Sequence, residues 1–298
     1  MRPWPSLAPV AFCLKGGSPG AETIFYYDSP PGNGASSPPA FVLIHGLGDE
    51  ADSWRHVIPL LNSRGYRVLA LDLPGFGRSV APGKISIRNH VAAVLNLTGA
   101  ACPGVPVYLA GNSMGAVVAE MAALEKPELS RGLILIDGSI PGGPARPGPF
   151  ALAKLLFSRK WYRAYRGDPE GAWASLYPYY ADLDSMLRDD REFLRERVMA
   201  RVASPAQERA FFATQRSLVW TFLTSSSRII REIKEYEGEI LLLWGDMDRV
   251  VPLSSAEAFQ ALNPDIGLEL IPFAGHLPQQ EKPGETARRM ADFADRTP

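Results

Sequence analysis

From residue 40 onward the chain repeats short, unbroken apolar runs: "AFVLIH" (40–45), "RVLALD" (67–72), "VPVYLAG" (105–111), "GLILID" (132–137), "EILLLW" (239–244) and "GLELIPF" (267–273). Such runs suit strands buried on both faces, as in a parallel sheet flanked by helices, rather than strands with one wet face. Helical patterns fall between them, at about 52–64, 85–99, 114–125, 256–262 and 284–295. The alternation defines an α/β architecture with a doubly wound sheet. An apolar fraction of 46% over 298 residues supplies the core that it needs. Ahead of it, residues 10–15 read as a first strand, and "DSPPGNGASSPP" at 28–39 reads as the loop joining an early hairpin to the main sheet.

The alternation stops after Asp137 and resumes near Glu239. The hundred residues between begin with "PGGPARPGP" and continue as helical patterns loaded with aromatics, among them Trp161, Trp173, Tyr177, Tyr179, Phe211 and Phe212. They read as an insertion forming a helical cap, so the domain expectation is a core of residues 1–138 and 239–298 with a cap at 139–238.

Composition excludes several other classes. With 31 basic and 32 acidic residues there is no broad electrostatic footprint for nucleic acid or an anionic membrane. Cys13 and Cys102 share no zinc-like or C-x-x-C spacing, so neither a disulfide framework nor a structural metal is expected. No apolar run reaches the roughly 18 residues of a membrane span. The N-terminal segment lacks a small-x-small cleavage site, and the expected compartment is the cytoplasm.

Ligands of open parallel sheets bind beyond the carboxyl ends of the strands, and three polar signals fall there. The first is "GNSMG", a G-x-S-x-G turn between a strand and a helix, which would project Ser113 outward as a nucleophile. Met114 would then begin a helix whose N–H groups point at the site. The second is "WGDMDRVVP", whose Asp246 and Asp248 are both candidates to orient a histidine. The third is "FAGHLPQQE", which sets His276 beyond the last strand. Of the four histidines, only His276 follows both other signals, giving the order Ser, Asp, His that a nucleophile elbow requires. The loop "HGLG" after the strand at 40–45 is the second source of oxyanion donors; these are assigned to the backbone N–H groups of Leu47 and Met114. His45 is expected to shape that loop rather than act as a base.

Taken together, "HGLG", "DLPGFGRS" (72–79), "GNSMG", "WGDMDRVVP" and "AGH" resemble the α/β-hydrolase superfamily over almost the whole chain. The resemblance implies an eight-stranded, mostly parallel sheet with the cap after the sixth strand. It matches Ser113 to the nucleophile, Asp248 to the acid and His276 to the general base, with Asp137 at an alternative acid position. Serine at the elbow separates the chain from the epoxide hydrolases and haloalkane dehalogenases, which carry aspartate there. "GNSMG" is also similar to the elbow of the meta-cleavage-product hydrolases, although Leu277 stands where those enzymes usually carry tryptophan and Ala116 replaces their third glycine.

The expected activity is hydrolysis of a small uncharged carboxylic ester through an acyl-enzyme, with neither metal nor organic cofactor. The alternatives are C–C bond hydrolysis of a dienoate-like acid and ligand binding without turnover. Trp173, Tyr177 and Phe212 are the candidates to line an apolar pocket, as packing within the cap is the competing role for such rings. Arg188, Arg191, Arg195 and Arg201 would either bind a substrate carboxylate or form a solvated helix face.

Overall fold

The computed structural model describes residues 9–13, 23–32, 39–81, 83–140 and 159–297. Residues 14–15 of the expected first strand, residues 33–38 of the expected loop, the "PGGPARPGP" stretch at 141–149 and the side chain of Cys13 lie outside the described residues.

Strands β1 (Pro9–Cys13), β2 (Thr23–Ser29), β3 (Ala40–Ile44), β4 (Arg67–Leu71), β5 (Val107–Asn112), β6 (Ser130–Ile136), β7 (Glu239–Gly245) and β8 (Gly267–Ile271) join one sheet. Their spatial order is β1-β2-β4-β3-β5-β6-β7-β8. The β1-β2 and β2-β4 pairs are antiparallel, and every pairing from β4 to β8 is parallel.

Alternate residues of each apolar run serve opposite faces, as the strand period of two demands. Val42, Ile44, Leu69, Leu71, Leu109, Leu133 and Leu242 enter one core with α2 (Ile87–Ala101), α3 (Met114–Glu125), the end of α6 (Pro205–Lys234) and α7 (Leu253–Gln260). Phe41, Leu43, Val68, Tyr108, Ala110, Ile134 and Leu243 enter the other, with α1 (Val57–Ser63) and α9 (Pro283–Arg296). Each fully buried Leu or Ile stabilises the fold by roughly 1.5–3 kcal/mol, so the unbroken runs anchor both layers.

Between β6 and β7 the described chain is helical at residues 159–164 and then forms α4 (Pro169–Ala174), α5 (Arg188–Ala203) and α6. The expected helix at 52–64 is divided into a 3-10 turn (Ala51–Trp54) and α1. The Asp72 carboxylate takes the Ala51 N–H at 2.7 Å and so fixes the start of the 3-10 turn. The short helix α8 (Pro278–Glu281) leads from the last loop into α9. Among the described residues, no helix is long and apolar enough to cross a membrane.

Candidate active site

The turn between β5 and α3 has a single residue, Ser113, and it pays in backbone strain with φ 56° and ψ −118°. Neighbouring contacts over-determine that conformation. The Ser113 N–H donates to Ile136 at 2.8 Å, continuing the ladder to β6, while its carbonyl accepts from Ala116 at 3.0 Å to open α3. The flanking glycines are required by close approach: a Cβ on Gly111 would stand 2.1 Å from the Gly115 carbonyl oxygen, and one on Gly115 only 2.3 Å from that of Ile44. The motif "GNSMG" is thus a steric prescription for setting a serine between a buried strand and a buried helix. Its side chain remains partly accessible.

The "HGLG" loop lies alongside. His45 is fully buried; its Nδ1 meets the Gly46 carbonyl at 2.7 Å and its Nε2 accepts the Leu73 N–H at 2.9 Å. Burial holds its pKa below the ordinary histidine value, which fits the neutral ring these two bonds require. The Gly46 carbonyl also accepts from Asp49 at 3.2 Å. In a trans peptide the following N–H points the opposite way, so His45 turns the Leu47 N–H away from itself. Among the described residues, the N–H groups of Leu47 and Met114 meet no protein acceptor. "DLPGFGRS" braces this loop from behind: Asp72 receives Nε and Nη2 of Arg78 at 2.7 and 3.0 Å as well as the Ala51 N–H.

At the carboxyl ends of β7 and β8, His276 Nδ1 lies 2.8 Å from Asp248 Oδ2, and both side chains are almost wholly buried. Asp248 Oδ1 accepts from Val250 and Val251 at 2.7 and 3.1 Å, so the "GDMDRVVP" loop folds around its own acid. Asp246 is exposed and is not the histidine's partner. With Nδ1 committed to a carboxylate, Nε2 is the ring nitrogen left to accept a proton. Asp137 joins the pair: a ligating atom from each of Asp137, Asp248 and His276 lies within 4.8 Å of the others. Of the other histidines, His90 is buried against Thr214 and pushed down to about 3 by burial, and His56 pairs with Asp190 at 2.7 Å away from the strand ends.

Three residues beyond those expected hold this geometry. Asn112 Nδ2 donates to the His276 carbonyl at 3.0 Å and ties the His276 loop to the Ser113 turn. Glu281 accepts the Gly275 N–H and the Ala181 N–H, each at 2.7 Å, joining the histidine loop to the helical segment 159–234. The Tyr179 carbonyl accepts the His276 N–H at 2.8 Å, and its ring lies 5.9 Å from the imidazole. Gly275 permits this approach, since a Cβ there would stand 2.6 Å from the Ala181 nitrogen.

The three candidate pocket aromatics make contacts within the segment between β6 and β7. Trp173 is buried in a separate cluster with Tyr180, Leu183, Leu194 and Val198. Tyr177 is exposed and bonds Asp184 at 3.0 Å. Phe212 is buried against Tyr162 and Phe211. The rings that reach the strand-end loops are their neighbours: Tyr179 beside His276, and Phe211, whose edge lies 3.0 Å from where a Cβ on Gly48 would stand.

Nor are the arginines of α5 a solvated face throughout. Arg188 pairs with Glu192 and Arg195 with Glu170 at the surface, and Arg191 donates to the carbonyls of Asp184 and Met186. Arg201 instead turns inward, 2.8 Å from Asp49 and 3.2 Å from Glu50. Arg197, unremarked in the sequence, is fully buried 3.5 Å from Glu50 and 3.3 Å from Asp52, with the Phe193 ring beneath it. Arg55 returns the contact by reaching Asp190 at 2.8 Å. A buried charge network therefore seams α5 to the segment directly after the "HGLG" loop.

The chain belongs to the alpha/beta hydrolase family, which it matches over residues 41–289. It is 30% identical over 276 residues to 2-hydroxy-6-oxononadienedioate/2-hydroxy-6-oxononatrienedioate hydrolase of Comamonas testosteroni, covering 88% of this chain and 89% of that one. It is 29% identical over 268 residues to the pimeloyl-(acyl-carrier protein) methyl ester esterase of Edwardsiella ictaluri, covering 85% of this chain and 92% of the relative. Among solved structures, a bacterial membrane phospholipase A superposes with a TM-score of 0.74 at 28% identity, covering 97% of this chain and 86% of its own.

Proposed function

We propose that the chain is a serine carboxylesterase acting on small uncharged esters, with residues 139–238 serving as a cap over the core of residues 1–138 and 239–298. The observation that carries this reading is the His276 ring held by Asp248 at 2.8 Å, on a loop that Asn112 ties to the strained turn of Ser113. In the proposed reaction His276 Nε2 takes the Ser113 proton as Oγ attacks the ester carbonyl. The N–H groups of Leu47 and Met114 hold the oxyanion, and Asp248 stabilises the imidazolium. The alcohol leaves with the proton from His276; water, activated by the same ring, then releases the acid. Tyr179 and Phe211 border the acyl or alcohol pocket, and no metal or organic cofactor enters these steps.

The esterase of Edwardsiella ictaluri and the phospholipase structure support the ester reading. A second reading, C–C bond hydrolysis, is supported by the Comamonas testosteroni relative. The arginines first considered for a substrate carboxylate are engaged with protein partners, which favours the uncharged substrate. Steady-state hydrolysis of nitrophenyl esters from acetate to palmitate, with Ser113→Ala alongside, tests the assignment. Turnover should show a chain-length optimum and fall by about 10⁶-fold in kcat with the variant, the loss typical of a removed serine nucleophile. Absent ester turnover with bleaching of a yellow ring-fission product would select C–C hydrolysis, and saturable binding without turnover would select a ligand-binding protein.

A further inference from the structure

The proposed triad uses one acid, yet two lie beside its histidine. Asp137 follows β6 directly and is fully buried in a left-handed conformation, φ 48°. Its N–H donates to the Leu243 carbonyl at 3.0 Å and its Oδ1 accepts the Gly245 N–H at 2.8 Å, so the carboxyl is fastened to β7. Its Oδ2 is buried without a donor to meet it. Asp248, by contrast, accepts three hydrogen bonds, from His276, Val250 and Val251.

Two buried carboxylates this close to one another cannot both be ionised without a large electrostatic cost, and a shared proton removes it. It also gives the unmet Oδ2 a role, as the oxygen that carries the proton. We infer that Asp137 is a neutral carboxylic acid that donates a hydrogen bond to Asp248 and so positions the acid of the triad. Its titratable neighbours are Asp248 from the loop after β7, His276 from the loop after β8 and, farther off, Glu281 of α8. Burial first, and then the Asp248 charge, push Asp137 well above the usual carboxylate range.

The role in catalysis rests on the esterase reading, whereas the protonation state does not, and the test separates them. Infrared difference spectra of wild type against Asp137→Asn at neutral pH should contain a protonated-carboxyl C=O band that the variant lacks. Absence of that band would overturn the inference whatever the protein hydrolyses. Kinetically, Asp137→Asn keeps a neutral donor and should lose less than about tenfold in kcat/KM. Asp137→Leu should lose about 10- to 100-fold, as expected for one hydrogen bond to a charged group. With that donor gone, Asp248 favours the imidazolium more strongly, so the acidic limb of the Asp137→Leu pH profile should move to higher pH. An Asp137→Asn loss as large as the roughly 10⁴-fold expected of Asp248→Asn would show instead that Asp137 acts as an ionised acid.

Discussion

Ser113 stands in a backbone conformation that an L-residue holds only when its surroundings insist on it. Replacement by alanine keeps the strain, whereas glycine relieves it. Ser113→Gly should therefore be more stable than Ser113→Ala by about 1 kcal/mol in denaturant unfolding, after allowing for the greater unfolded-state freedom of glycine. Equal stability of the two variants would mean that the turn is unstrained. At this scale the candidate residues were legible wherever chemistry coincides with a strand end: Ser113 and His276 were marked by position and order, whereas position left Asp246 and Asp248 both open and the family resemblance alone singled out Asp248. Asn112 was not legible, because an asparagine inside a glycine turn looks like turn chemistry, and its partner carbonyl lies 164 residues away. That Tyr179 and Phe211, rather than Tyr177 and Phe212, are the rings found beside His276 and Gly48 was not legible for a related reason. Where neighbouring residues are all aromatic, which ring faces the core depends on how one layer sits upon another.

Helix α5 shows what a charged sequence can hide. "RDDREFLRERVMARVA" reads as a solvated helix, but its buried stripe of Phe193, Leu194, Val198 and Val202 also includes Arg197, and Arg201 lies on the same side. The helical spacing of 193, 197 and 201 was the available signal; the acidic loop that receives the arginines lies some 150 residues earlier. Within this seam Glu50 is pushed up to about 7, burial outweighing the attraction of Arg201 and Arg197 while Asp72 and Asp52 add to the rise. Arg201 moves the other way from its own burial penalty, because Asp49 and Glu50 more than offset it. For Glu50 the folded state binds the proton more tightly than the unfolded chain. Its contribution is thus complete below about pH 4.5 and is lost as pH rises through about 7. Glu50→Gln should flatten that segment of the stability-against-pH curve measured by urea unfolding. An unchanged slope would mean that Glu50 does not titrate in the seam.

For the whole molecule, the doubly wound architecture follows from a simple fact of the sequence: apolar runs with no polar alternation must be covered on both faces, and helices are the covering that parallel strands permit. What the runs could not reveal is the set of cross-connections that make their carboxyl ends one site. Asp72 braces the segment after the "HGLG" loop, Asn112 binds the Ser113 turn to the histidine loop, and Glu281 binds that loop to the helical segment between β6 and β7. The bonds of Asn112 to His276 and of Glu281 to Ala181 join residues 164 and 100 positions apart in the chain. Whether this assembly activates Ser113 is measured most directly by covalent labelling with a fluorophosphonate, read by intact mass and peptide mapping. The expected result is a single adduct on Ser113, absent in Ser113→Ala and much slower to form in His276→Ala. Labelling that misses Ser113, or that proceeds equally well without His276, would contradict the account.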